Sequence, residues 1–361
     1  MLTYWLLFVL PALVALMTET RRTGTVPAGK TATPGGVWVV VGIVLTLLIG
    51  FRYEVGGDWF NYFHYLEDVA GLPLDEVVQN SDPGYQVLNW LSMEMDGDVF
   101  GVNLLGGAIF SIGLLVFCRS LPRPWLALTV AVPYMVIVMA MGYSRQAVAL
   151  GLAMLGLVAL GRGGTARFVF WVMLGATFHK TAVLLLPLAA LASARNRFVA
   201  IAWGVGSLGL GYWLFLQDAA EGLYKNYVEA EYQSSGALVR LAMNLVPAVI
   251  LLLWRGRFKL SAGERRLWIL FALVSVALFG VFLVSPASTA VDRVALYMLP
   301  LQLVVFAHLP DVLTDSKEKD VGPMVLAVIG FYSLVQFVWL NFADHAFAWV
   351  PYRFYPLEAW F

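Results

Sequence analysis

Apolar runs close to the ~20 residues needed to cross a hydrocarbon core recur along this whole chain, with short polar stretches between them. A chain built this way has one economical solution: helices, which satisfy their own backbone hydrogen bonds, packed side by side in a membrane. Composition agrees. Hydrophobic residues make up 60% of the 361 and charged residues only 13%, with a mean hydropathy of +0.78, whereas about a quarter of a soluble domain is charged. The expected fold is all-α, a polytopic integral membrane protein forming one membrane domain over residues 1–361, with about 10–11 transmembrane helices.

The expected spans are 3 to 17, 37 to 51, 100 to 117, 125 to 142, 144 to 161, 168 to 192, 199 to 216, 238 to 254, 267 to 284, 293 to 309 and 322 to 341. The first lacks the basic leader and small-residue cleavage pattern of a secretory signal, so it is read as a retained span. Placing loop 18 to 36 in the cytoplasm puts 16 of the 23 basic residues inside and 17 of the 23 acidic residues outside. Segment 168 to 192 breaks this alternation. It has basic residues at both ends and His179-Lys180-Thr181 in its middle, which fits a re-entrant hairpin carrying polar residues to mid-membrane, where they line a cavity. The outward face is expected to hold loop 52–99, with short amphipathic helices, loop 217–235, and the tail 342–361.

Seven basic residues fall on or near the outward face, against the charge rule: Arg52, Arg145, Lys180, Lys225, Arg240, Arg293 and Arg353. Arg52 opens the block Arg52-Tyr-Glu-Val-Gly-Gly-Asp58-Trp-Phe-Asn-Tyr62 at the mouth of a span. Arg145 follows Gly142-Tyr143-Ser144, and Arg293 follows Asp292. One arginine at a span end is often an interface anchor. Three on one face point to a shared anionic ligand, because guanidinium stays protonated and grips phosphate oxygens bidentately. A lipid diphosphate at the outer leaflet has that chemistry. The lone cysteine, Cys118, excludes an internal disulfide. Asp96-Gly-Asp98, the single DxD match, reads as a loop before a span.

These blocks, in order, resemble the EpsG family: Arg52-x-x-Val-Gly-Gly-Asp58-x-x-x-Tyr62, Asp82-Pro-Gly-Tyr85, Ser144-Arg145-Gln146-Ala147, Ala176-Thr-Phe-His179-Lys180-Thr181 and Asp292-Arg293-x-x-x-Tyr297. The family belongs to the Wzy-type polymerases of exopolysaccharide and O-antigen synthesis. Gly57 stands where many relatives have Thr. The resemblance implies a metal-independent, cofactor-free glycosyltransferase of the bacterial inner membrane, working at the periplasmic face on oligosaccharide repeats carried by undecaprenyl diphosphate. Its implied partners are that substrate, membrane lipids, and a chain-length regulator and a flippase of the same pathway, with no nucleic acid.

Such a reaction needs charge stabilisation for the departing diphosphate and a base for the acceptor hydroxyl. The expected diphosphate ligands are Arg52, Arg145, Arg293 and Lys180, and the expected catalytic groups are His179 and Asp58. Tyr62, Asp82, Tyr85, Gln146 and Tyr297 are expected to shape the sugar site. Each has a structural reading too: His179 as a packed histidine, Asp58 as an ion-pair partner of Arg52 or Arg145, Asp82 and Asp292 as turn caps or local pairs. A lipid-linked oligosaccharide flippase would also need an arginine-lined cavity, though its ionisable groups would line a path through both faces. An O-antigen ligase would share the donor and differ in the acceptor.

Overall fold

The computed structural model describes residues 1–21, 35–193, 206, 209, 236–284, 288–314 and 320–358, and among them every regular element is helical. In chain order these are α1 (Leu2–Thr18), α2 (Gly36–Gly50), three short helices α3 (Asn61–Glu67), α4 (Leu74–Val77) and α5 (Pro83–Glu94), then α6 (Asp98–Arg119) and α7 (Pro124–Ala131). The last runs on as a π-helix, Val132–Ala140. After it come α8 (Ser144–Gly161), α9 (Thr165–Ala176), a 3-10 turn at Lys180–Leu185 and α10 (Leu186–Ser193). The remainder is α11 (Ala237–Trp254), α12 (Ala262–Val284), α13 (Ser288–Ala295), α14 (Pro300–Leu313), α15 (Gly322–Phe342) and α16 (Tyr355–Glu358).

Five of these, α6, α8, α11, α12 and α15, are long and apolar enough to cross a membrane, and α13 with α14 makes a sixth if the pair is one bent span. Four shorter apolar helices, α1, α2, Pro124–Ala140 and α9, accompany them. This is a multi-pass membrane protein. The expected span 199 to 216 and loop 217–235 lie outside the described residues. Span 293 to 309 differs from a simple crossing: its chain bends by 46° between Met298 and Pro300, where proline lacks the N–H that would continue the ladder and its ring crowds the preceding turn. Segment 168 to 192 breaks as expected, at Thr177–His179, and its two halves pack against each other.

Glycine decides how the helices stack. Helices α2, α6, α8 and α9 form a row in which each touches the next. A Cβ on Gly113 would sit 2.1 Å from the Gly151 carbonyl oxygen, and one on Gly151 would sit 2.7 Å from the Phe110 Cα. Backbone meets backbone there, as small residues permit where lipid supplies no hydrophobic drive between helices. The π-helix and α7 occupy the centre: the whole run from Leu126 to Met141 is buried, with α1, α6, α14 and α15 around α7. Peripheral α12 shows Leu273, Val281, Leu283 and Val284 on its surface, an apolar face suited to lipid.

At one end of the bundle, Arg123 is fully buried and donates to both Asp311 carboxylate oxygens, at 2.9 and 2.8 Å. Glu19 beside it accepts the Trp125 and Leu126 amides at the start of α7, each at 2.9 Å, using groups that a helix N-terminus leaves unsatisfied. At the other end lie α3, α4, α5 and the returning tail. Tyr53 N–H donates to the Arg353 carbonyl at 3.0 Å, Tyr355 N–H to Phe51 O at 2.8 Å and Gly56 N–H to Ala348 O at 2.8 Å. Arg353 pairs with Glu54 and Glu358 and lies over the Tyr53 ring.

The close approach at Gly113 makes a specific prediction. Gly113→Ala should destabilise the folded protein by about 1–3 kcal/mol, the usual scale of overpacking. Gly280→Ala, on an exposed stretch of α12 with nothing within 4 Å, should be neutral or gain up to about 1 kcal/mol. Thermal unfolding of both variants in detergent, with equal losses, would show that the backbone contact is not the cause.

Candidate functional site

Helix α2 ends at Gly50, and two residues later the Arg52 side chain turns inward, with no solvent exposure. Its guanidinium donates to the carbonyls of Ile49 (2.6 Å) and Val55 (3.2 Å), to Asn103 Oδ1 (2.9 Å) and to Ser144 Oγ (2.8 Å), and it lies over the Trp59 ring. Four bonds thus engage its guanidinium inside the protein, out of the five N–H donors it carries. Arg52 therefore binds three parts of its own chain, the end of α2, α6 through Asn103 and the start of α8 through Ser144, and presents nothing to a ligand. This departs from its expected place among diphosphate ligands.

Tyr62, on α3, completes the same corner. Its hydroxyl donates to the Gly142 carbonyl at 3.1 Å and accepts from the Ser144 N–H at 3.0 Å, satisfying a donor at the first turn of α8. The next residue, Arg145, is thereby aimed at loop 52–99. It donates to Asp82 Oδ2 at 2.9 Å, and its guanidinium lies 4.7 Å from the Tyr65 ring centre and 5.9 Å from that of Tyr85. Stacking and pairing pre-set its direction. Asp82, in the left-handed region at φ 55°, leads α5 without capping it with its side chain.

The Asp82-Pro-Gly-Tyr85 turn docks on the break in the hairpin: Gly84 N–H donates to the Thr177 carbonyl at 2.9 Å, and a Cβ on Gly84 would meet Thr177 Oγ1 at 2.3 Å. That contact fixes His179, whose Nδ1 lies 2.7 Å from Thr181 Oγ1 and 3.4 Å from the Tyr297 hydroxyl. Lys180 is within electrostatic range of Asp82. Gln146, one residue past Arg145, donates to the Arg293 carbonyl at 2.7 Å and so ties α13 to α8. Asp292 is engaged elsewhere, in a bidentate pair with Arg240 at 2.6 Å.

Asp58 is the half-buried carboxylate of the loop after α2. Burial raises its pKa, while Arg293, Arg145 and a hydrogen bond from Asn61 act in the opposite direction. The Asp82 carboxyl is likewise raised by burial, with Arg145 and Lys180 opposing. Arg293 and Arg145 are also the two cations that act on His179. Asp58, Arg145, His179 and Arg293, from four different parts of the chain, are thus close enough to influence one another electrostatically. Tyr62, Tyr85, Gln146 and Tyr297 are buried within or beneath this cluster. Chemically it joins groups able to take up a proton with fixed positive charge able to hold a polyanion.

The family model for EpsG matches residues 37–354 of this sequence. The chain belongs to the EpsG family. That span contains every residue of the cluster, and EpsG is a Wzy-type, polysaccharide-polymerase-like family. No curated protein and no solved structure matches the chain.

For this EpsG-family protein, sequence reasoning missed Asn103, Ser144 and Thr181 as partners of Arg52 and His179. A signal existed for the first: an amide in an otherwise apolar span is costly unless it has a partner. Of the other histidines, His64 pairs with Glu67 on the surface and His308 bonds the Val304 carbonyl, away from the cluster. Among the described residues, no group of three or more His, Cys, Asp or Glu side chains is placed to hold a metal ion.

The different environments of the two arginines can be tested by unfolding. Arg52→Ala strands two carbonyls, an amide and a hydroxyl in the interior and should cost about 3 kcal/mol or more. Arg145→Ala, at a partly exposed pair, should cost no more than about 1 kcal/mol. Comparable melting temperatures for the two would remove the structural role assigned to Arg52.

Proposed function

We propose that this protein polymerises polysaccharide repeat units carried on undecaprenyl diphosphate, at the periplasmic face of the bacterial inner membrane. In this reading a hydroxyl oxygen of one lipid-linked unit attacks the anomeric carbon of the growing chain. The bond between that carbon and the diphosphate oxygen breaks, and its electron pair leaves with the diphosphate. Arg145 and Arg293 bear the charge that accumulates on the leaving group, with Lys180 nearby. The hydroxyl proton passes to Asp58, and His179, whose Nδ1 is held by Thr181, offers Nε2 to the same space.

The observation that carries the reading is the bond network that gathers the two arginines: Gln146, next to Arg145, donates to the Arg293 carbonyl, and Arg145 pairs with Asp82, whose turn seats on the hairpin break beside His179. In this reading a diphosphate held by the two arginines would bring the reacting carbon near Asp58 and His179, the proximity a single displacement needs. Arg52 has a positioning role here: it holds α2, α6 and α8 so that Arg145 points at the substrate. Tyr85, Tyr65 and Asp82 orient Arg145, and Gln146 orients Arg293, so the residues expected to touch sugar act in this proposal on the arginines instead.

Polymer formation by purified protein from a synthetic lipid-diphosphate-linked repeat is the direct test. Arg293→Ala and Asp58→Asn should each lower the rate by ~10²–10³-fold, the scale for an electrostatic stabiliser or a general base, with melting temperatures near wild type. Full ladders from both folded variants would refute the assignment. Burial raises the Asp58 pKa and the base works deprotonated, so activity should fall as pH drops through a value above that of an ordinary aspartate. His179→Ala should leave this acid limb in place; its loss in Asp58→Asn alone identifies the titrating group.

A further inference from the structure

Beside the charged cluster lies a cavity of about 450 Å³ between the π-helix, α11 and α15, within the roughly 300–1,000 Å³ common for small-molecule sites. Its walls are mainly apolar, with Met243 on α11, Val338 and Trp339 on α15, and Tyr134 on the π-helix. Tyr143 and Arg240 also line it. Tyr143 is the hinge between the two spaces. It is two residues before Arg145, and Trp349, which also lines the cavity, lies 3.9 Å from where a Cβ on Gly57, the residue before Asp58, would sit. The apolar space therefore borders the site at the point where a lipid's charged head would meet its tail.

We infer that this cavity receives the polyprenyl chain of the lipid-linked substrate, entering beside Tyr143 and running between α11 and α15. The inference rests on the function proposed above and adds where the carrier, as distinct from the sugar, is held. Three features favour a long unsaturated hydrocarbon as occupant. The walls combine Met, aromatic and aliphatic side chains, which accommodate an irregular apolar chain. The Arg240 guanidinium on the α11 wall is neutralised by Asp292 through two 2.6 Å bonds, and Asp344 and His345 lie past the end of α15, so the stretch of wall between them is apolar. The space borders, at Tyr143 and Trp349, the cluster that would hold the anionic head, so one amphiphile can span both.

A photoreactive polyprenyl diphosphate, its label on the first isoprene units, tests this on the full-length protein in detergent micelles. Crosslinks should map to α11 and α15, near Met243 and Val338, and be displaced by unlabelled polyprenyl diphosphate. Labelling elsewhere, or equal displacement by an ordinary phospholipid, would overturn the inference. Met243→Trp and Val338→Trp fill the space and should raise the KM for a repeat on a long polyprenyl tail by ~10-fold, the loss expected for a few buried methylene groups. The KM for the same repeat on a geranyl tail should not change. Equal effects on both tails, or none on either, would count against the cavity. Wild-type protein that crosslinks at α11 and α15 but forms no polymer would keep the lipid site and remove the polymerase reading.

Discussion

A guanidinium with no exposed surface, surrounded by carbonyl, amide and hydroxyl oxygens, is the contact on which the end of this bundle that carries loop 52–99 depends. Arg52 follows α2, yet its bonds end on α6 and α8, and the loop that carries Asp58 bends around its Nε through Val55. Burying a cation in a membrane protein is expensive unless each donor has an acceptor. Once the acceptors are in place, the same expense makes the arrangement specific: sliding any one of the three helices would strand a charge. The site arginine, Arg145, inherits its position from this contact, because Ser144 is both an Arg52 ligand and its neighbour in sequence.

Around that anchor, interactions are nested. Tyr62 secures the first turn of α8, Gly84 seats the Asp82 turn on the hairpin break, and Gln146 reaches across to the backbone of Arg293. Each link joins loop 52–99 or α13 to α8 or α9, so elements distant in sequence share one small volume. Most of these bonds are between side chain and backbone. Such contacts locate a segment through its backbone, so the placement of Arg293 and of the hairpin beside His179 does not depend on their charged groups.

Much of the architecture was legible before any coordinates. Uniform hydropathy and short loops dictated a helical membrane protein, and basic residues at both ends of segment 168 to 192, with a polar triplet at His179 between them, pointed to the break found at Thr177–His179. The cluster was legible through arginines at span ends where the charge rule led one to expect none. What the sequence could not disclose was which of those arginines looks outward and which inward. Arg52 and Arg145 have the same residue type and the same sidedness; only the approach of Asn103 and Ser144, set by glycine-mediated stacking of α6 on α8, separates them. Arg240 and Asp292 are likewise 52 residues apart, and no local pattern pairs them. The bend before α14 was readable in principle from Pro300, though hydropathy alone ran straight through it.

The tail gives the molecule an order in time. Residues 346–355 supply the Trp349 indole that donates to the Ile137 carbonyl of the π-helix, the carbonyl that receives Tyr4, and the backbone that pairs with Phe51 and Tyr53. All of these lie against the loop that holds Arg52 and Asp58. A ribosome delivers that tail only after every helix of the site has been synthesised, so the corner around Arg52 is left open on one side throughout membrane insertion and closes as a late act of assembly. A nascent chain with all of its chemistry-bearing residues already in the membrane would still lack the wall that holds them in register.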